Sequence, residues 1–148
     1  MVDLKSQIRR RASELGFELV GFAPAIQAGT WDRLREWLSH GFSGEMKYLD
    51  RRQAAYQHPS SVLPTVRSLI MLGLVHGGTD GKAVSSVTAA QKGAVPRIAR
   101  YAQGSRDYHD LIREKLSALA DAVHELSPGC RTRGVVDTAP LLERDFAR

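Results

Sequence analysis

The chain has 148 residues, of which 43% are hydrophobic and 25% are charged. This composition is typical of one globular domain and excludes a multidomain machine, a disordered chain and a disulfide scaffold. The single cysteine, Cys130, cannot by itself hold zinc or an iron–sulfur cluster, because each needs several ligands. The net charge of +5 permits a nucleic-acid partner without requiring one. With no secretory-signal pattern and no apolar run near the ~20 residues of a membrane span, we expect a cytoplasmic protein.

The first half of the chain predicts alternating helices and strands. Apolar residues recur at helical spacing over residues 4–15, and residues 17–22 alternate apolar and polar side chains as a short strand does. Thr30 is a candidate cap for a second helix that ends at Gly41. Residues 68–75 form a nearly unbroken apolar run, which predicts a central strand covered on both faces.

The second half predicts a long loop followed by two further strands and two helices. The loop covers about 76–95, where small and polar residues show no period, and residues 97–102 resume an extended pattern. A long helix begins at Asp107, residues 132–136 predict a strand, and a last helix begins at Pro140. Because the chain stops inside that last pattern without a cap, we expect a fragment of a longer protein.

These elements predict a single domain over residues 1–148. The alternation of helices and strands favours the α/β class, and the α+β class is the alternative. We expect a three-layer-like arrangement in which helices flank a mixed central sheet.

Asp137 is the first candidate for a chemical role, because it follows a predicted strand and precedes a predicted helix. The C-terminal ends of strands are where open α/β domains present reactive groups, and a carboxyl group shielded from water there can act as a proton donor. Capping of the following helix is the alternative, and the spacing alone favours it.

The second candidate is the junction before the long helix, where Arg97, Arg100 and Arg106 precede the cluster Asp107-Tyr108-His109. Free backbone N–H groups at such a junction can receive an anionic or amide-rich ligand, but Asp107 can equally be a helix cap among surface charges. Zinc-hydrolase, phosphate-loop, dinucleotide and serine-hydrolase fingerprints are absent, so no metal ligands are assigned.

Several segments, taken in order, resemble the N-terminal region of epoxyqueuosine reductases. They are Glu14-Leu15-Gly16-Phe17 with Val20-Gly21-Phe22, Gly44-Glu45-Met46-Lys47-Tyr48-Leu49, His58-Pro59 with Val62-Leu63-Pro64 and Arg67-Ser68, Ile98-Ala99-Arg100-Tyr101-Ala102 leading to Asp107-Tyr108-His109, and Val136-Asp137-Thr138-Ala139-Pro140 leading to Glu143-Arg144.

The resemblance implies a domain like those of cobalamin-processing and flavin-reductase-like proteins. It implies an oxidoreductase that reduces epoxyqueuosine to queuosine in tRNA with cobalamin and two [4Fe–4S] clusters, the clusters lying in a following domain and not on this chain. Asp137 is then the catalytic proton donor, held near the corrin. Further cofactor-binding positions are Tyr56, where many family members have arginine, and Ala99, Arg100 and Tyr101.

The implied partners are a tRNA carrying epoxyqueuosine and an external electron donor, with no membrane and a monomeric state. The arginine-rich surface, including Arg9, Arg10 and Arg11, would steer the tRNA through phosphate contacts. The isolated chain is expected to be inactive without its cluster domain. Two alternatives remain: a non-catalytic tRNA- or protein-binding module, and a flavin-binding reductase domain.

Overall fold

The structure, a computed structural model, describes residues 3–75, 105–137 and 139–148. Their helices and strands are, in order, α1 (Leu4–Glu14), β1 (Leu19–Pro24), α2 (Trp31–Ser39), α3 (Lys47–Arg51), α4 (Gln53–Gln57), a 3-10 turn (Pro59–Ser61), β2 (Ser68–Gly73), α5 (Tyr108–Leu126) and α6 (Glu143–Phe146). Helices combined with a sheet confirm a domain of mixed α and β structure.

The sheet formed by the described residues is an antiparallel pair of strands. In its register Leu19 lies opposite Gly73 and Pro24 lies opposite Ser68. Successive strand residues point to opposite faces, so each strand contributes apolar side chains to both sides. The side chains of β2 contact one apolar cluster on each face. The prediction that this strand is covered on both faces is therefore confirmed.

On one face the sheet packs against α1 and α5. The buried residues of this first cluster are Ile8, Ala12, Phe17, Leu119 and Val123. Ala12 is completely buried, and its small side chain lets the two helices approach closely. The spacing of the apolar residues on both helices follows the helical period, which is why the sequence pattern located them.

The opposite face is covered by a second cluster, built on Ala28, Trp31 and Phe146. The C-terminal segment is fixed to α2 by polar contacts, because the backbone N–H and the hydroxyl of Thr30 both donate to Asp145 Oδ2 at 2.8 Å. Thr30 was expected to cap α2 itself. Its side chain makes no cap hydrogen bond, and the carboxylate of Asp145 occupies the electropositive helix start instead.

Two predicted elements near the end of the chain differ from the structure. Residues 132–136 form no strand; the backbone at Gly134 lies close to α5, where a Cβ would lie 3.2 Å from Leu116 Cβ. The last helix begins at Glu143 and not at Pro140, since tight turns at Ala139 and Leu141 come first. The predicted loop at 76–95 and strand at 97–102 lie outside the described residues.

Candidate functional site

The start of α5 is organised by Asp107. Its Oδ1 accepts the backbone N–H of His109 at 2.9 Å and lies 2.7 Å from His109 Nδ1. The capping alternative for Asp107 is thus confirmed, and the same atom also holds the imidazole ring. The hydrogen bond from the His109 backbone is the main cause that lowers the pKa of Asp107, and the bond to the His109 ring adds to it. Asp107 is therefore an ionised acceptor at neutral pH.

The other edge of the same imidazole reaches Asp137. His109 Nε2 lies 3.0 Å from Asp137 Oδ1, and the hydroxyl of Tyr108 donates to Asp137 Oδ2 at 2.5 Å. The rings of Tyr108 and His109 stack, with centroids 4.0 Å apart. Both oxygens of Asp137 therefore have a partner on the first turn of α5. The sequence predicted two separate candidates, Asp137 and the junction at Asp107, and the structure joins them into one site.

Asp137 does not cap the helix that follows it. The N-cap position of α6 is Leu142, and no side chain caps that helix. Asp137 lies in the turn where the N–H of Ala139 donates to the carbonyl of Val136 at 2.7 Å. Its side chain is 51% exposed, whereas that of His109 is only 21% exposed. The imidazole is thus the shielded member of the pair and the carboxyl group is open to a ligand.

A further carboxyl group, that of Glu143, approaches the site from α6. Burial is the main cause that raises the pKa of Glu143, and the negative charge of Asp137 raises it further. Glu143 belongs to the last of the quoted motifs, but the motif alone gives it no chemical role. The sequence feature that could have pointed to Glu143 is its position at the start of a helix, a few residues after Asp137.

Tyr56, the other described candidate for cofactor binding, lies on α4 and packs against the second apolar cluster. Burial raises its pKa, and Tyr48 adds to that effect, so its phenol is neutral at physiological pH. The C-terminal segment joins the two regions: Glu143 faces Asp137, and Phe146 on the same helix belongs to the cluster that contacts Tyr56. Ala99, Arg100 and Tyr101 lie outside the described residues.

Two properties of the described residues bear on the type of site. Nowhere in residues 3–75, 105–137 and 139–148 do three histidine, cysteine or acidic side chains form a group able to hold a metal ion. In those same ranges, no helix has the length and apolar character needed to cross a bilayer. What the site offers is a set of proton-exchanging groups within hydrogen-bond distance of one another.

Comparison with known proteins places this site in a family. The profile described as "Epoxyqueuosine reductase QueG, DUF1730" matches residues 57–138, more than half of the chain. The chain belongs to this family. The resemblance inferred from the quoted motifs is thereby confirmed. The matched range contains Asp107, His109 and Asp137, and it begins one residue after Tyr56.

Curated relatives agree with the profile. The chain is 37% identical to a protein named epoxyqueuosine reductase from Gloeobacter violaceus, over 99% of its own length and 43% of the relative. It is 32% identical to one from Vibrio cholerae, over 98% of the chain and 38% of the relative. It is 30% identical to one from Escherichia coli, over 97% of the chain and 37% of the relative.

The chain therefore spans about two fifths of the length of the curated epoxyqueuosine reductases it matches. No solved structure matches it significantly.

Proposed function

We propose that this chain is the cobalamin- and substrate-binding portion of an epoxyqueuosine reductase, with Asp137 as the proton donor. Membership of the family supports the reaction class, and the hydrogen bonding of Asp137 supports its role. Removing the oxygen of an epoxide to leave an alkene requires that the oxygen be protonated and depart as water. A half-exposed carboxyl group with two fixed hydrogen-bond partners can meet a substrate oxygen and deliver that proton.

The fit of cobalamin can be judged from the chemistry of the two described positions. Tyr56 offers an aromatic ring among apolar side chains and a neutral hydroxyl, which suit the apolar face and the polar rim of a corrin. Asp137 offers a carboxyl group close to Glu143 on α6, the helix whose Phe146 belongs to the apolar cluster that contacts Tyr56. These residues fit such a group, and Tyr56 and Asp137 would hold it, together with Ala99, Arg100 and Tyr101. When bound, cobalamin supplies the electron pair that breaks the carbon–oxygen bond.

The proposed substrate is a tRNA carrying epoxyqueuosine, and the arginines of α1 are candidate phosphate contacts. Arg10 and Arg11 pair with Glu14 at 3.9 and 3.2 Å, and the Arg9 guanidinium lies 5.0 Å from the centroid of the Phe22 ring. Exposed pairs of this kind contribute less than about 1 kcal/mol and are screened by salt, so the cations can exchange to phosphates. Binding to tRNA should therefore weaken steeply as salt rises.

The remaining parts of the reductase are expected outside this chain. Two [4Fe–4S] clusters would need many more thiolates than the single Cys130, so they would lie in the rest of the protein with access to an external electron donor. Residues 1–148 are accordingly proposed to act as one domain of a monomeric, cytoplasmic enzyme, inactive when isolated.

The decisive experiment uses a chimera in which this chain replaces the corresponding part of the Escherichia coli relative. The reconstituted chimera should convert epoxyqueuosine to queuosine in tRNA, and its visible absorption should report bound cobalamin. Asp137→Asn should lower turnover by about 100-fold or more, because a positioned general acid contributes that much. Cobalamin should remain bound in this variant, because asparagine has the size of aspartate and the other proposed contacts are retained.

Asp110→Asn is the matched control. Asp110 lies on the first turn of α5 next to His109, is exposed and pairs with Arg113 at 3.0 Å, so turnover should stay within about twofold. Full activity of Asp137→Asn would exclude the proton-donor role. Binding of flavin in place of cobalamin would favour the flavin reductase alternative, and salt-sensitive tRNA binding without turnover by the chimera would favour the binding module.

A further inference from the structure

We propose that His109 is a positioning residue that returns the proton to Asp137, and that Asp107 selects the tautomer of His109 which makes this possible. The inference rests on the proposed function, because it concerns the same acid. It follows from the fact that both nitrogens of one imidazole lie within hydrogen-bond distance of a carboxylate oxygen.

A neutral imidazole carries one N–H and one lone pair, so it can donate to only one of two carboxylates. Asp107 is the ionised partner, since its Oδ1 accepts the backbone N–H of His109 and this hydrogen bond lowers the pKa of Asp107. Asp107 therefore accepts a hydrogen bond from the Nδ1–H group of His109. The lone pair of Nε2 then faces Asp137 Oδ1 at 3.0 Å, and two electron pairs at that distance repel each other unless a proton lies between them.

One proton must accordingly be shared by Nε2 and Asp137 Oδ1. The pair exists either as imidazolium with carboxylate or as neutral imidazole with carboxylic acid. In the second form Asp137 is a donor, and half of its side chain is exposed towards a ligand.

The proton steps balance with protons taken up from solvent water. Starting from neutral His109 and protonated Asp137, the O–H bond of Asp137 breaks as an O–H bond forms on the departing substrate oxygen. A solvent proton then binds Nε2 of His109. This N–H bond breaks as the O–H bond of Asp137 forms again, which leaves neutral His109 with its Nδ1–H on Asp107. Departure of the oxygen as water consumes two protons, so the pair passes through this cycle twice.

Other charged groups close to the pair define what else can titrate with it. Glu143 interacts with Asp137, and Tyr108 donates to its Oδ2. Arg113 interacts with Asp107 and also pairs with Asp110. Arg106, which precedes α5, pairs with Glu114 at 2.6 Å. Only His109 among these described groups touches both aspartates.

Nitrogen-15 NMR of labelled histidine in the 148-residue chain tests the tautomer without any activity measurement. His109→Gln identifies the His109 signals among those of the five histidines. As the pH is raised until the ring loses its charge, the remaining proton should be found on Nδ1. A neutral ring protonated on Nε2 would overturn the proposal.

Asp107→Ser is the informative variant, because serine is also a preferred helix cap but is too short to reach the imidazole. The neutral ring of His109 should shift towards the Nε2–H tautomer in this variant. Asp110→Ser, one helical position beyond His109, should leave the tautomer unchanged. If Asp107→Ser retained the Nδ1–H tautomer, selection by Asp107 would be excluded.

The chimera separates this inference from the proposed function. Asp107→Ser should lower kcat about tenfold while KM for the tRNA stays within about twofold, because the proton is returned after the substrate binds. An inactive chimera combined with the Nδ1–H tautomer would contradict the proposed function alone. An active chimera with the Nε2–H tautomer would contradict the role of His109 alone.

Discussion

The C-terminal half of α5 is held by apolar burial, whereas its first turn is held by hydrogen bonds among polar side chains. Leu119 and Val123 are almost completely buried against α1 and the sheet. Two turns or more before them, Tyr108 and His109 reach across to Asp137. One helix thus combines a rigid half that sets its position with an exposed end that carries reactive groups.

This difference shows how the site gains its precision. A half-exposed carboxyl group is a poor anchor by itself, because water competes for its hydrogen bonds. The packing of α5 against α1 fixes the backbone from which His109 and Tyr108 project. Perturbing the two ends should therefore have separable effects, on stability at one end and on proton chemistry at the other.

The largest effect on stability is expected from Leu119→Ala. Removing a buried leucine side chain should lower the free energy of unfolding by about 2–5 kcal/mol, measured by urea denaturation. Leu4→Ala is the control, because Leu4 is 41% exposed and its truncation should cost less than about 1 kcal/mol. Equal losses in the two variants would contradict the view that α5 is positioned by its buried half.

An intermediate effect is expected from Asp145→Ala, on the opposite face of the sheet. It removes the acceptor of two hydrogen bonds from Thr30, so the free energy of unfolding should fall by about 2 kcal/mol. Asp32→Ala removes an exposed carboxylate that pairs with Arg35 at 3.1 Å, and it should cost less than about 1 kcal/mol. A loss no larger than that of the control would show that the C-terminal segment is not fixed through Thr30.

The smallest effect concerns Glu143 and depends on pH. Its pKa in the folded chain is raised above the ordinary value of 4.5, so the folded state binds this proton more tightly than the unfolded state. The stability contributed by the protonated carboxyl group of Glu143 is complete below pH 4.5 and is lost as pH rises through the pKa that Glu143 has in the folded chain. Glu143→Gln should therefore reduce the fall in Tm between pH 4 and pH 7.

The expected change corresponds to less than about 1 kcal/mol, because the carboxyl group is partly solvated. The exposed Glu18→Gln should leave the fall in Tm as it is in the unchanged chain. A fall in Tm that Glu143→Gln did not reduce would contradict the raised pKa. Asp137→Asn should have a smaller effect in the same direction as Glu143→Gln, since Asp137 is the second cause of the shift.

Predictions from the sequence were most accurate where the apolar pattern was long and continuous. The helical spacing that begins at Asp107 predicted α5, and the apolar run at 68–75 predicted β2. The strand predicted at 132–136 was wrong, because a strand needs a neighbouring strand and the local sequence does not show whether one is present. In the described residues no neighbouring strand completes a ladder with this segment, and its backbone at Gly134 lies close to Leu116 of α5.

The family and its candidate acid were inferred from the order of short motifs along the chain. The contact between His109 and Asp137 joins positions far apart in the chain, and Asp145 reaches Thr30 across 115 positions. Local propensity is decided by neighbours along the chain, so it identified α1, α2, α5 and both described strands, and it offered the capping role of Asp107 as one alternative. The distance between two remote side chains depends on how whole elements pack, and only the tertiary structure decided which carboxylates share one imidazole.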